Sequence, residues 1–228
     1  MIVAAQLIPL ALLGAILGLD VVSFPQAMIS RPIAAATLAG ALVGRPGQGL
    51  IAGAMLELFA LETLPFGASR YPEWGSASVV GGALFASQPA GSAGALTVAV
   101  CASLATGWMG SWTMLLHRRF IARLATGMRE ALASGSSDAV TSLQLRGLTS
   151  DVVRGGVLTW LSLLAWVPLS AALLDQWTFS ASASRAVVVI AAGAVSGGAI
   201  WKIVHNTRGA LWFLLGGAAA GAFLLLMT

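Results

Sequence analysis

The sequence predicts an all-α, polytopic membrane protein, and three observations support that fold class. Its 228 residues are 58% hydrophobic and only 9% charged, whereas an ordinary soluble domain is about 25% charged. Glycine occurs 27 times, and small residues allow membrane helices to approach one another closely. Long apolar runs recur along the chain, and about 20 such residues cross the ~30 Å hydrocarbon core of a bilayer. We therefore expect a single membrane-embedded domain over residues 1–228.

The apolar runs give the positions of the predicted spanning helices. Residues 2–19 nearly reach spanning length, and they lack the basic stretch and clear cleavage site of a signal peptide. We therefore expect them to remain in the protein as its first helix. Later runs of spanning length cover about residues 92–116, 155–174, 185–204 and 209–227.

The region between the first helix and residue 90 has a different pattern. Residues 33–43 and 50–64 are apolar but too short to span comfortably, and the Gly/Pro connector GRPGQG joins them. This pattern predicts a re-entrant or broken helical hairpin. Irregular backbone survives at membrane depth only where protein or a water-filled cavity surrounds it, and broken helices of transporters often form the substrate site.

The positive charge of the chain is concentrated in one stretch between apolar runs. The net charge is +4, and half of the twelve basic residues lie there: Arg118, Arg119, Arg123, Arg129, Arg146 and Arg154. The positive-inside rule accounts for such a cluster, so the charge does not indicate nucleic-acid binding. Residues 117–154 are instead predicted to lie on the cytoplasmic side of the membrane. Within it, residues 115–134 predict an interfacial amphipathic helix. The GSSD sequence at 135–138 predicts a turn and an N-cap for a second short helix toward Arg154.

Glu57 is the polar residue that most needs explaining. A carboxylate at the bilayer centre costs about 2.5–3.5 kcal/mol on insertion scales, so it needs a partner, a proton or water. Gly49, Gly53 and Glu57 follow one another at four-residue spacing, which places both glycines on the carboxylate's stripe of a helix. Another element could pack closely there. Glu57 is thus a functional candidate, and its alternative is a structural hydrogen bond to a neighbouring helix.

Two other acidic residues lie nearby in the sequence. Glu62 is five residues after Glu57, about 140° around a helix, so a paired-carboxylate acid/base site is not expected. Its plainest interpretation is a helix end in water, beside Thr63 and Pro65. Glu73, between Pro72 and Trp74, fits either a solvated loop or a place in the site.

Catalytic and metal-binding patterns are missing from the sequence. Cys101 is the single cysteine, and no HExxH, phosphate-binding lysine motif or convincing nucleophile triad occurs. His117 and His205 lie at predicted helix ends, where solvation at the membrane interface explains them. We therefore expect no catalytic residue, no metal site and no cofactor.

Several short motifs together resemble a known family. They are Ser30-Arg31-Pro32-Ile33 with Thr37-Leu38 and Gly40, then Gly53-Ala54-Met55-Leu56-Glu57-Leu58 with Ala60-Leu61, then Gly67-Ala68 and Pro72-Glu73. These resemble the IIC subunit of the mannose/fructose/sorbose family of the bacterial sugar phosphotransferase system (PTS). The resemblance to this family is ungapped from the first helix through about residue 80, and it is looser in the rest of the chain.

The resemblance implies both a function and a site. A IIC subunit is expected in the bacterial inner membrane, paired with a homologous IID subunit in a higher oligomer of such pairs. Together they would move a hexose-type sugar inward, and cytoplasmic IIA and IIB components would phosphorylate it through phosphohistidines. The family's motif implies Glu57 as the leading sugar ligand, Gly67 and Ala68 as backbone contacts, and Glu73 as a lesser candidate. Gln26 is the strong hydrogen-bonding side chain in the segment before Arg31.

Two other functions stay open at this stage. A membrane scaffold or sensor derived from the same fold would not transport. An intramembrane enzyme would need Glu57 to act with Glu62 or a histidine, which the helical phase and the interfacial histidines disfavour.

Overall fold

The computed structural model describes residues 2, 4–62 and 71–227, and every regular element among them is a helix. The helices follow one another in this order: α1 Ala4–Val22, α2 Pro32–Leu42, α3 Pro46–Ala60, α4 Trp74–Ala86, α5 Ala95–Gly127, α6 Arg129–Ala133, α7 Ser137–Asp175, α8 Ala181–Val204 and α9 Ala210–Met227. The predicted all-α fold class is therefore confirmed.

Three of these helices are long and apolar enough to cross a membrane. They are α5, α7 and α8, whereas α1, α2 and α4 are shorter apolar helices. The predicted spans 92–116, 155–174 and 185–204 lie largely within α5, α7 and α8. These helices give the chain the architecture of a polytopic membrane protein.

The basic stretch is organised differently from the sequence prediction. The amphipathic helix expected at 115–134 is not separate, because α5 continues without a break to Gly127 and the short α6 follows it. Ser136 accepts a hydrogen bond from the Ala139 amide at 3.3 Å, so the predicted N-cap in GSSD is confirmed. The helix after it is not short, since α7 runs on to Asp175. The long helices α5 and α7 therefore carry five of the six arginines, and Arg129 begins α6.

The predicted hairpin is present as α2 and α3. Their 11 and 15 residues correspond to about 16 and 22 Å at ~1.5 Å per residue, less than the ~30 Å needed to span. Gly44, with φ +87°, follows α2, and Pro46 begins α3. Glycine takes this left-handed conformation without a steric penalty, and proline is well suited to the first turn of a helix. Two short helices therefore reverse direction within a few residues.

Helix α4 lies at the centre of the fold, although the sequence analysis assigned no helix to it. Its residues are buried except for Trp74 and Phe85, and it contacts α1, α2, α3, α5 and α7. Its small residues permit this packing: a Cβ on Gly82 would lie 2.6 Å from the Cα of Ala36 on α2. The hydrophobic effect does not drive helices together inside a membrane, so van der Waals contact between closely packed backbones stabilises their association instead.

The tip of the hairpin lies at one end of the molecule. The Arg45 guanidinium donates to the backbone oxygen of Gln88, which follows α4, at 2.5 Å. Nearby in sequence, Gly94 precedes α5 and packs directly against the ring of Trp177, just after α7. The hairpin tip, the α4–α5 connection and the α7–α8 connection therefore share one end.

The open end of the hairpin lies at the opposite end, with the arginine-rich stretch. Arg118 on α5 donates to the hydroxyl of Tyr71 at 3.2 Å, where the described chain resumes after α3. The hydroxyl of Ser23, just after α1, donates to Asp151 on α7 at 2.5 Å. We call this the arginine-rich end. The beginning of α2 and the end of α3 therefore lie at the end of the molecule that carries most of the positive charge.

Candidate functional site

Glu57 lies near the end of α3 and faces the beginning of α2. Its carboxylate forms an ion pair with Arg31, the residue that precedes α2, and accepts a hydrogen bond from the Ile33 amide at 3.1 Å. The free amides at a helix N-terminus and the helix dipole both favour an anion there. The side chain keeps 23% of its surface exposed. The structural hydrogen bond to a neighbouring helix is therefore present, and part of the carboxylate is still accessible.

The glycine stripe beside Glu57 has the close neighbour that its spacing predicted. A Cβ on Gly49 would lie 2.3 Å from the backbone oxygen of Ala36, and one on Gly53 would lie 2.8 Å from the Cα of Ile33. The element that packs there is α2. This close approach brings the backbone at the start of α2 within reach of the Glu57 carboxylate.

The connection between α1 and α2 carries Gln26 and is fixed by Asp20. The Asp20 side chain is 2% exposed and accepts hydrogen bonds from the Ala27 amide at 2.7 Å and the Ser30 amide at 2.9 Å. Gln26 and Met28 have φ values of +58° and +61°, a left-handed conformation that non-glycine residues rarely adopt. The Gln26 side chain is exposed. Asp20, which the sequence analysis did not single out, therefore determines the shape of this connection.

The chain between α3 and α4 is only partly described. Gly67 and Ala68, the expected backbone contacts, lie outside the described residues, as do Pro65 and Phe66. Glu62 follows the end of α3, as predicted for a helix end, and its carboxylate forms an ion pair with Lys202 near the end of α8. This ion pair links the end of the hairpin to the third long helix.

Glu73 is a buried helix cap, so the interpretation of a solvated loop is wrong. It is 1% exposed and is the N-cap of α4, with its two carboxylate oxygens 3.1 and 3.3 Å from the Ser76 amide. Its own amide donates to the backbone oxygen of Gly107 on α5 at 3.0 Å. A Cβ on Gly110 would lie 2.5 Å from the Glu73 Cβ. Helix α5 thus holds the cap in place through two glycines.

A buried polar cluster at the arginine-rich end was not predicted. Asp151 on α7 lies 3.3 Å from Nδ1 of His117 on α5 and 3.6 Å from Nε of Arg154, and it accepts the hydrogen bond from Ser23. The other ring nitrogen of His117 is 2.7 Å from the Ser150 hydroxyl. Interfacial solvation of His117 is therefore wrong, because its side chain is 11% exposed and lies within α5. The Asp151–Arg154 spacing of three residues was the one available signal in the sequence.

A cavity of about 690 Å³ between α5 and α7 ends on this cluster, at Ser23, His117 and Asp151. The rest of its lining is largely apolar. In the described part of the chain, no group of three or more His, Cys, Asp or Glu residues could hold a metal ion. The polar end of the cavity combines a hydroxyl, an imidazole and a carboxylate.

These elements define a polytopic helical membrane protein whose short helical hairpin presents an ion-paired carboxylate at its open end. A family model described as "PTS system sorbose-specific IIC component" matches residues 4–223. The chain belongs to this family, whose members are sugar-transport membrane subunits of the phosphotransferase system. The resemblance noted in the sequence is therefore confirmed.

Several chains of solved structures share the fold. One, described as "Structure of membrane protein", has a TM-score of 0.74 and 19% sequence identity, covering 97% of this chain and 88% of that one. Another is a chain from the mannose transporter ManYZ in complex with microcin E492, with a TM-score of 0.62, 19% identity, and coverage of 96% and 87%. No curated protein matches the chain. At these identities, the structural likeness concerns the fold alone.

Proposed function

We propose that this chain carries a hexose-type sugar inward across the bacterial inner membrane, as the IIC subunit of a mannose-type permease. Its partners are a IID membrane subunit and the cytoplasmic IIA and IIB components that phosphorylate the sugar. The family match over nearly the whole chain supports this proposal. The mannose transporter among the proteins of similar fold agrees with a hexose as cargo. In this proposal, IIC–IID pairs assemble into a higher oligomer.

The sugar binds at the open end of the hairpin, beside Glu57. The observation that carries this assignment is the partly exposed Glu57 carboxylate at the start of α2, paired with Arg31. A carboxylate accepts hydrogen bonds from sugar hydroxyls, while a guanidinium donates to their oxygens. Gln26 lies on the connection that leads into α2 and can do both. Gly67 and Ala68 follow α3 by a few residues and are proposed as backbone contacts.

Glu73 has a different role in this proposal. Its side chain is 1% exposed and its oxygens face the Ser76 amide. It therefore holds the beginning of α4 in place. We assign Glu73 to positioning that helix, and not to direct contact with sugar.

A IID subunit is needed to complete the site. A hexose presents several hydroxyls, and each buried hydrogen bond left unmade costs about 1–3 kcal/mol. Among the described residues, the strong hydrogen-bonding side chains of the proposed site are Glu57, Arg31 and Gln26. A homologous membrane partner would supply further donors and acceptors and would cover the free helix ends of the hairpin.

The test is uptake of a panel of labelled hexoses by cells that lack their own mannose-type permease. The cells express this chain with the IID, IIA and IIB components from neighbouring genes, and matched cells each omit one component. We expect uptake of at least one hexose only with the complete set. A complex that assembles in the membrane but takes up and phosphorylates no hexose would contradict transport and favour the scaffold or sensor.

A further inference from the structure

One face of α5 carries a stripe of exposed apolar side chains. Trp108, Trp112, Leu116 and Phe120 follow one another at four-residue spacing, and all are exposed, Leu116 at 61%. Residues spaced by four lie one above another on a helix. From Trp108 to Phe120 the stripe covers about 18 Å at ~1.5 Å per residue. One leaflet contributes about 15 Å of hydrocarbon, so the α5 stripe matches a single leaflet in length.

The α5 stripe leads into a cleft at the arginine-rich end. This cleft has a volume of about 420 Å³, and its lining among the described residues is Phe120, Arg123, Leu124, Gly127, Met128 and Arg146. Arg123 comes from α5 and Arg146 from α7, and both are exposed. No acidic residue is part of this lining. The cleft therefore combines two cations with an apolar wall.

The two arginines lack a counter-charge within the described part of the chain. Arg31 pairs there with Glu57, Lys202 with Glu62, and Arg154 with Asp151, whereas neither Arg123 nor Arg146 forms an ion pair. A guanidinium binds phosphate through two parallel hydrogen bonds, which makes it well suited to phosphate recognition. The cleft is thus complementary to a phosphate group.

We propose that this cleft binds an anionic phospholipid of the cytoplasmic leaflet. The phosphate lies between Arg123 and Arg146, and an acyl chain lies along the α5 stripe, which begins at Phe120. The apolar wall and the stripe favour a lipid over a free phosphate or an acidic protein, since neither of those would cover the apolar side chains. Basic pockets between membrane helices on the cytoplasmic side are known to bind lipid headgroups. By joining α5 to α7, the headgroup stabilises the extensions of both helices.

The test is thermal unfolding of the purified full-length chain in nanodiscs of phosphatidylcholine, with and without added phosphatidylglycerol. One variant carries Arg123→Gln and Arg146→Gln. A matched control carries Arg119→Gln and Arg129→Gln, which removes the same charge from exposed positions of the same stretch outside the cleft. We expect phosphatidylglycerol to raise the unfolding temperature of the wild type and the control, and to have little effect on the cleft variant. Native mass spectrometry should show phosphatidylglycerol binding weakened about tenfold in the cleft variant only.

Three outcomes would overturn the proposal. Equal responses of the two double variants would mean that the charge of the whole stretch attracts lipid without a site. The same stabilisation by inorganic phosphate would identify a free anion as the ligand. No response of the wild type would mean that the cleft holds no lipid. If the cleft variant does not fold, the single variants Arg123→Gln and Arg146→Gln replace it, and retention of as much phosphatidylglycerol by both as by the control counts against the cleft.

Discussion

The carboxylate of Glu57 and the guanidinium of Arg31 form an ion pair between the two helices of a hairpin that is too short to cross the membrane. Arg31 immediately precedes α2, so the same carboxylate also accepts a hydrogen bond from the first turn of that helix. The pair therefore connects the helix start to the stripe on which Gly49 and Gly53 allow close packing. This relationship gives the hairpin a defined open end, where we propose that sugar binds.

Replacing Gly49 should damage the hairpin. In Gly49→Ala, the new Cβ would lie 2.3 Å from the Ala36 oxygen, a backbone atom that cannot move aside independently. We expect a loss of about 1–3 kcal/mol in the free energy of unfolding, the usual cost of overpacking. Gly47→Ala is the control on the same helix, because nothing lies within 4 Å of its new Cβ. Thermal unfolding in detergent measures both, and equal stability of the two variants would contradict the packing described.

Asp20→Asn should loosen the connection that carries Gln26. The neutral amide has one acceptor oxygen where the carboxylate offers two, one to the Ala27 amide and one to the Ser30 amide. Unmade buried hydrogen bonds cost about 1–3 kcal/mol each, so we expect lower stability and weaker sugar binding together. Asp138→Asn, in the exposed first turn of α7, is the control. Wild-type sugar affinity in the Asp20 variant would show that the connection does not form part of the site.

Asp151→Asn should be among the most destabilising single changes at the arginine-rich end. The substitution leaves the Arg154 guanidinium, 7% exposed, without its counter-charge. Removing one partner of a buried ion pair costs about 3–5 kcal/mol. Asp175→Asn, at the exposed end of the same helix, should cost little. Denaturant unfolding of the purified variants measures the difference, and a change below about 1 kcal/mol for Asp151→Asn would argue against a structural role for the cluster.

Cysteine labelling tests the predicted cytoplasmic location of residues 117–154. With Cys101 replaced, a cysteine at Ser142 lies near the start of α7 and one at Ser182 lies just beyond its end. Because α7 is long enough to cross the membrane, the two should lie on opposite sides. We expect an impermeant thiol reagent to label Ser182→Cys in intact cells, and Ser142→Cys only after the cells are opened. The reverse pattern would invert the orientation.

The sequence predicted those features that depend on local periodicity. The hairpin followed from two short apolar runs around a Gly/Pro connector, and the close neighbour of Glu57 followed from Gly49 and Gly53 at helical spacing. Helix α4 was not predicted, because its core is a run of small residues whose burial depends on five surrounding helices.

The polar clusters depend on contacts between distant parts of the chain. His117 and Asp151 lie on different helices, and no pattern in one sequence pairs them. Taken alone, His117 matched a solvated residue at the end of an apolar run, and Asp151 was not singled out. Similarly, Glu73 could be identified as a cap only once α4 was known to begin directly after it.

Sugar binding to two glutamate variants tests the central proposal most directly. Glu57→Gln and Glu62→Gln each remove a carboxylate near the end of α3 that is paired with a basic residue, Arg31 in one case and Lys202 in the other. Each variant is purified with its IID partner, and its unfolding temperature is compared with that of the wild type. Binding of the sugar identified by uptake is then measured by calorimetry. We predict that Glu57→Gln weakens binding roughly 10- to 100-fold, as expected for loss of hydrogen bonds to a charged group, while Glu62→Gln stays near the wild type. Wild-type affinity in a folded Glu57→Gln complex would contradict the account and place the sugar elsewhere.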